Sequence, residues 1–314
     1  MPITAPDSPF KVLLQHRLIQ EWLQNTTSPN SRTAMRGDLQ EFIIFLKISD
    51  IDDLKKIQRV DIMQWRDAMA TTKEKTGLAI RSVKRKMSSI SKFFEYLCDE
   101  GFVSTNPCLG VERPKLTANE GATAAINEAQ ARDLLDAPDP KTLIGKRDRA
   151  ILATFLYHAL RRSELCQLRL KDLQERDGIK QFKILGKGDK ERYVPIHPSA
   201  IRRISEYLEA LGNPSDKEGP LFTSLSNNGR NAGKTISPIA VYDLVVRYGQ
   251  KVGIEKGTFS PHSLRATAAT NTLLNGEDIR KVQHWLGHAS IQTTAMYDKR
   301  DHRPEDSPTY RVRY

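Results

Sequence analysis

The 314-residue sequence has little cysteine. Cys98, Cys108 and Cys166 are three in number, and no two of them stand as Cys-x-x-Cys. So odd and scattered a set offers neither a disulfide framework nor the ligand spacing of a zinc site. Small buried hydrophobes are what these residues are expected to be. No apolar run approaches the roughly 18 residues of a membrane span. Met1 to Phe10 lacks the charged-then-apolar pattern of a secretory signal. A cytoplasmic protein without a membrane partner is expected. Internal repeats and low-complexity tracts are also missing. The one Gly-Lys-Gly-Asp stretch, residues 186–189, lacks the Gly-x-x-x-x-Gly-Lys-Ser/Thr spacing of a phosphate-binding loop.

What is present is positive charge. Lys and Arg number 49 against 38 Asp and Glu, for a net charge of +11. That excess favours a polyanionic partner. With 39% hydrophobic and 28% charged residues the chain has the balance of a soluble globular protein, and its length suits two domains.

From Phe10 to about Gly101 apolar residues recur at helical spacing, as in Leu14, Leu18, Ile19, Trp22 and Leu23, then Leu39, Phe42, Ile43 and Leu46. Turn and capping residues break the pattern at Asn25–Ser31 and Lys47–Asp53. Asp61–Ala70 and Thr76–Cys98 read as further helices. A four- or five-helix bundle follows. Its last helix is strongly basic: seven basic residues and one acid, Glu74, lie between Lys73 and Lys92. Arg81, Lys84, Arg85, Lys86 and Lys92 have no acids at i,i+4 to pair with, which turns the reading from a merely solvated face toward DNA phosphates. Asn106-Pro107, Arg113-Pro114 and a small, polar stretch from Leu116 to Ala125 read as a linker. The expected division is a helical domain over 10–110, a linker over 111–126, a second domain over 127–300 and a tail over 301–314. In the second domain, helices at Glu128–Leu135, Arg147–Tyr157 and Glu164–Leu168 precede a β-hairpin formed by 181–185 and 191–196. Helices at Ser199–Leu211, Ser237–Val252, Ser263–Leu274, Ile279–Leu286 and Ile291–Tyr297 follow. The fold class is mainly α with a small β-sheet.

Four segments carry chemistry: Leu160-Arg161-Arg162-Ser163-Glu164-Leu165, the turn 186–192 ending in Arg192, Pro261-His262-Ser263-Leu264-Arg265, and Trp285-Leu286-Gly287-His288, with Tyr297 nine residues on. Arginines offer forked donors to phosphate oxygens. Histidines hydrogen-bond or move protons near neutrality. A lysine on a hairpin tip can reach a leaving oxygen, and a tyrosine can form a covalent phosphoester. No carboxylate cluster accompanies them, so no metal or other cofactor is expected, and a two-metal nuclease is disfavoured. Such a set would stabilise a phosphorane-like transition state by protein charge alone. Taken singly, each piece has a plainer meaning. His262 could cap a helix N-terminus, His288 a helix C-terminus, Gly-Lys-Gly-Asp is an ordinary turn, and Tyr297 and Trp285 could be core.

In order and spacing, Arg, hairpin Lys, His-x-x-Arg, Leu-Gly-His and Tyr resemble the signature of the tyrosine recombinase, or phage integrase, family over nearly the whole chain. The linker from Asn106 to Lys115 looks like that of Xer-type members. The resemblance implies a SAM-like N-terminal domain that binds core DNA and a mixed α+β catalytic domain, closing as a C-shaped clamp on duplex DNA. It implies that Tyr297 attacks the scissile phosphate and stays joined to the 3′ phosphate. Arg161 and Arg265 would hold the phosphate, Lys187 would protonate the 5′ oxygen, His262 would assist proton transfer and His288 would hydrogen-bond the phosphate. Glu164 would orient its neighbours. Two positions depart from the family pattern: Ala159 stands where Gly is usual, and Arg162 follows Arg161 where an apolar residue is usual. The expected substrate is double-stranded DNA with inverted-repeat core sites, bound by a tetramer in the bacterial nucleoid, with a partner recombinase or accessory factor as an option. Lacking an extra arm-binding domain, the chain is expected to use simple sites.

The tail inclines the role toward a mobile element, with Xer-like resolution of chromosome or plasmid dimers as the alternative. Its alternating end, Thr309–Tyr314, would dock on a neighbouring protomer or form a disordered basic terminus. A type IB topoisomerase and a DNA-binding accessory protein with a lapsed active site are the competing classes.

Overall fold

Capping signals decide where most of the helices begin. The computed structural model describes residues 12–71, 78–115, 125–186, 191–225, 232–255 and 257–300, together with Thr309. Its contacts divide the chain into two units, Met1–Gly121 and Ala122–Tyr314.

In the first unit α1 (Arg17–Gln24) buries Leu18, Ile19, Trp22 and Leu23. Helix α2 (Pro29–Phe45) starts at a Ser28 cap with proline in its first turn, where the missing N–H costs nothing. The stretch read as a break near Lys47–Asp53 is largely a 3-10 turn, Ile51–Lys56, closed by an Asp50–Asp53 capping box. Helices α3 (Arg59–Thr71) and α4 (Ile80–Asp99) complete the unit among the described residues. Helix α4 is the axis of the core. It buries Val83, Met87, Ile90, Phe93, Phe94 and Leu97 at helical spacing. Its aromatic rings pack at tilted or edge-on angles, Trp22 with Phe93 at 4.8 Å and Phe42 with Phe94 at 6.0 Å.

The second unit is mainly helical with one sheet. Helix α5 (Glu128–Asp136) opens with the expected Asn127 cap, paired reciprocally with Gln130. Helix α6 (Leu143–His158) begins a turn earlier than Arg147, because the Thr142 hydroxyl accepts the Gly145 N–H at 3.0 Å. Helix α7 (Arg162–Gln167) leads through a 3-10 turn, Leu170–Asp172, into an antiparallel sheet of β1 (Leu173–Arg176), β2 (Ile179–Leu185) and β3 (Glu191–Pro195) in that order. Only the β2–β3 hairpin was expected. Strand β1 is mostly polar and shows no alternation to read. The signal that would have found it is Asp177-Gly178, whose φ values of 51° and 73° make the two-residue hairpin turn that Asp-Gly favours. Phe182 lies opposite both Leu173 and Val194, which fixes the register and turns Phe182, Ile184 and Val194 into the core. Then come α8 (Pro198–Ala210), α9 (Pro238–Lys251), α10 (Pro261–Leu274), α11 (Ile279–Leu286) and α12 (Ile291–Ala295). No described helix is long and apolar enough to cross a membrane.

Helix α6 ends on a buried histidine. His158 is 1% exposed and stands edge-on to Phe182. Its Nδ1 lies 3.0 Å from the Thr154 carbonyl, which can only accept, so Nδ1 carries the proton. Nε2 then accepts the backbone N–H of His197 at 3.0 Å. Protonating Nε2 would both charge a buried ring and break that bond. Burial, foremost, presses the His158 pKa from 6.5 down to about 4. Between those values the unfolded chain binds a proton that the folded chain refuses, so stability falls on acidification through that window. Urea unfolding should show a loss approaching about 1.4 kcal/mol per pH unit there. His158→Gln should flatten that dependence; an unchanged slope would assign it to other groups.

Candidate functional site

Two arginine side chains, the expected Arg161 and the unanticipated Arg192, converge on the buried carboxylate of Glu164. Arg161 caps α7, and the first turn of that helix places Glu164 beneath it. Glu164 is 4% exposed. Its Oε2 accepts the Arg161 backbone N–H at 2.8 Å, and its Oε1 accepts Arg161 Nη1 at 2.7 Å. Arg192, from β3, donates Nη1 to Oε1 at 2.9 Å and Nη2 to Oε2 at 2.8 Å. Burial raises the pKa of Glu164, but the Arg192 bonds, the Arg161 amide, the charge of Arg192 and the Arg161 side-chain bond outweigh it and hold the carboxyl below its ordinary range. A buried charge is tolerable only when paired and hydrogen-bonded like this. The remaining Nη2 of Arg161 donates to the Gly287 carbonyl at 3.0 Å. Arg162 is exposed and lines a cleft of about 310 Å³ together with Arg161, His262, Arg265 and Tyr242.

Arg265, on α10, is 1% exposed. Its Nη1 donates to the Ala159 carbonyl and its Nη2 to the Leu286 carbonyl at 2.6 Å. Burial first, then the field of Arg161, lowers its pKa to about 10, so it stays charged at neutral pH. Its partner Ala159 ends α6 in the left-handed region at φ 50°. Helix α11 ends on Gly287 at φ 65°, and the next N–H, of His288, returns to the Gln283 carbonyl at 3.1 Å. That turn aims the His288 ring, whose Nδ1 lies 2.9 Å from Thr294 Oγ1, a fully buried hydroxyl. Burial, then Arg265, Arg161, His262 and Arg192, push His288 down to about 4, so it is neutral near pH 7. Tyr297 packs beside it, ring centroids 6.1 Å apart, and is 6% exposed. Burial raises the phenol pKa; Arg265 and Arg161 oppose the rise without cancelling it. His262 is exposed at the second position of α10, after the Ser260 cap and Pro261. Lys187 lies outside the described residues. No His, Cys, Asp or Glu cluster that could hold a metal occurs among the described residues.

The comparisons with known proteins fit this geometry. Residues 124–303 match the phage integrase family, and residues 19–101 match its N-terminal SAM-like domain. The chain belongs to this family. The tyrosine recombinase XerC of Thermodesulfovibrio yellowstonii is 34% identical over 283 residues, which cover 88% of this chain and 87% of that protein. The tyrosine recombinase XerD of Listeria monocytogenes is 32% identical over 275 residues, 86% of this chain and 88% of that one. In fold the chain resembles the Tn1549 transposon integrase solved with circular intermediate DNA, with a TM-score of 0.67 at 17% identity, covering 97% of this chain and 98% of that one. Membership makes this tyrosine recombinase a DNA strand-transferring enzyme.

The basic helix of the recombinase divides its charges. Arg81 and Lys92 are exposed on α4, and Lys84 is partly so. Arg85 is half exposed, but its Nη2 donates to Asp38 at 2.7 Å and its Nη1 to the other oxygen. Lys86, expected on the DNA face, is buried: its ammonium sits 2.7 Å from Glu41 and 3.4 Å from Asp38. The missing i,i+4 acids come from α2 instead, so Lys86 serves the bundle. Sequence reasoning also missed Arg192 as a site residue, although it closes the hairpin motif. It missed Thr294 and the Gly287 carbonyl as well, because nothing local marks a buried hydroxyl or a backbone acceptor as functional.

Gly287 allows Arg192 to lie close, for a Cβ there would stand 3.2 Å from Arg192 Nη1. Gly287→Ala combines that crowding with a left-handed backbone, which should cost about 1–2 kcal/mol. Urea midpoints would measure the loss, and a wild-type midpoint would contradict it.

Proposed function

We propose that the chain is a site-specific recombinase that cuts and rejoins duplex DNA through a phosphotyrosyl bond to Tyr297. The observation that supports this best is the burial of Tyr297 against His288 within the field of Arg265 and Arg161. The Tyr297 oxygen attacks phosphorus, the bond to the 5′ oxygen breaks, and the tyrosine is left on the 3′ phosphate. The energy of the broken phosphodiester is kept, so rejoining needs no external source. Because the phenol is held protonated, attack requires a proton acceptor, and His262 beside the cleft is assigned that task. Lys187 is assigned as the donor to the departing 5′ oxygen. Arg161 and Arg265 neutralise the two non-bridging oxygens as charge builds. In the tautomer whose Nδ1 accepts the Thr294 hydroxyl, neutral His288 keeps Nε2–H for one of the same oxygens.

The N-terminal helical domain, with Arg81, Lys84 and Lys92 foremost, is assigned to phosphates of inverted-repeat core sites, and a tetramer in the bacterial cytoplasm to the synapsed pair. Relatives named XerC and XerD match over most of the chain. They favour a Xer-like role in resolving chromosome or plasmid dimers over the mobile element suggested by the tail, whose residues beyond Arg300, Thr309 excepted, lie outside the described ones.

The test is covalent capture. Duplexes from the regions flanking the gene, nicked near each inverted repeat, are incubated with protein and resolved on a denaturing gel without added metal. A DNA-linked band should form with wild type and vanish in Tyr297→Phe while native-gel binding persists. Binding without an adduct from wild type would overturn the reading. On the duplex so identified, Lys92→Ala should lower the salt slope of binding by about 1. Lys86→Met should leave that slope unchanged and cost roughly 1–3 kcal/mol of stability.

A further inference from the structure

We propose that Arg192, the second residue of β3, is a positioning residue for strand cleavage: by gripping both oxygens of Glu164 it fixes Arg161 and keeps that arginine effectively cationic toward phosphate. The inference rests on the phosphotyrosyl reading above. Each oxygen of Glu164 accepts one bond from Arg161 and one from Arg192. Two guanidiniums thus share one carboxylate, and the trio carries net charge +1. With Glu164 and Arg161 alone the pair would be neutral, and Arg161 would offer a phosphate little net field. Arg192 returns the charge that Glu164 removes.

Arg192 acts through Glu164. Its side chain is 15% exposed, both Nη groups are committed to the carboxylate, and its buried Nε has no acceptor among the described residues. It also lies against Gly287, whose carbonyl takes the other Nη of Arg161. One guanidinium therefore braces both supports of Arg161. The fork geometry matters, because a lysine ammonium is a point donor and cannot grip two oxygens in parallel.

The test uses the full chain and the nicked duplex that wild type captures, with adduct formation followed in single turnover, binding on a native gel and folding by thermal melt. Arg192→Met should slow adduct formation on the order of 100-fold, with DNA affinity unchanged. Adding Glu164→Gln, which removes the charge that Arg192 balances, should recover about tenfold of that loss; a merely structural role for Arg192 predicts no such rescue. Arg192→Lys keeps the charge without the fork and should lose about tenfold. It carries the test if Arg192→Met fails to melt cooperatively, and a wild-type rate in it would then overturn the assignment. Wild-type adduct with an equally fast, folded Arg192→Met overturns the assignment alone, as does a folded double variant that shows no recovery. A wild-type chain that binds the duplex without forming an adduct overturns the phosphotyrosyl reading and this assignment with it.

Discussion

A carboxylate taken out of water must be fully bonded, and at Glu164 that requirement organises the site. Its four hydrogen bonds come from two segments far apart in sequence, the start of α7 and strand β3. Satisfying it draws the sheet against the helices and holds Arg161 where its second Nη meets the turn after α11. The strength of charge-assisted bonds in a dry site, and the cost of leaving one unmade, make this arrangement close to all-or-none. Arg265 obeys the same constraint with carbonyls instead of a carboxylate. Helix ends supply those carbonyls, Ala159 closing α6 and Leu286 closing α11, so two helix C-termini point negative dipole ends at one buried cation.

Electrostatically the site is built from excess. Arg161, Arg192 and Arg265 face one carboxylate, and the surplus shows in its neighbours. Burial first, with that surplus adding to it, keeps His288 neutral and lets Arg265 release its proton more easily than an ordinary arginine. Such a surplus of positive charge and donors suits a phosphate diester. The same unit contains a counterpart at Asp148, fully buried and bonded by Arg147, Arg247 and Tyr248. That cluster too sets two arginines on one carboxylate, and it ties α6 to α9.

Much of this was legible beforehand, for identifiable reasons. The stripe from Val83 to Leu97 reads as a buried helix because period 3.6 places those residues on one face. The β2–β3 hairpin reads from alternation about a Gly-rich turn. Arg161, Glu164, Arg265, His288 and Tyr297 were singled out by motif and spacing, and the fold brings them together. Strand β1 escaped because its residues are polar and its Asp-Gly turn was overlooked. The early start of α6 escaped because a threonine cap leaves no apolar trace. Lys86 was misplaced because a helical face was judged by its own sequence neighbours, whereas its acids stand on another helix.

By itself, then, the sequence determined the helical character of the chain, the one small sheet among the described residues and several of the groups that the fold brings together. Local periodicity, turn chemistry and ordered motifs are properties of neighbouring residues, and the chain states them directly. Only the tertiary structure decided which charges are spent and which are offered. It spends Lys86 on Glu41 and Asp38, leaves Lys92 exposed, and pairs both Arg161 and Arg192 with Glu164. Whether a charge is screened, paired or buried depends on partners dozens of residues away, and the low dielectric that gives those pairings their strength exists only once the core has closed.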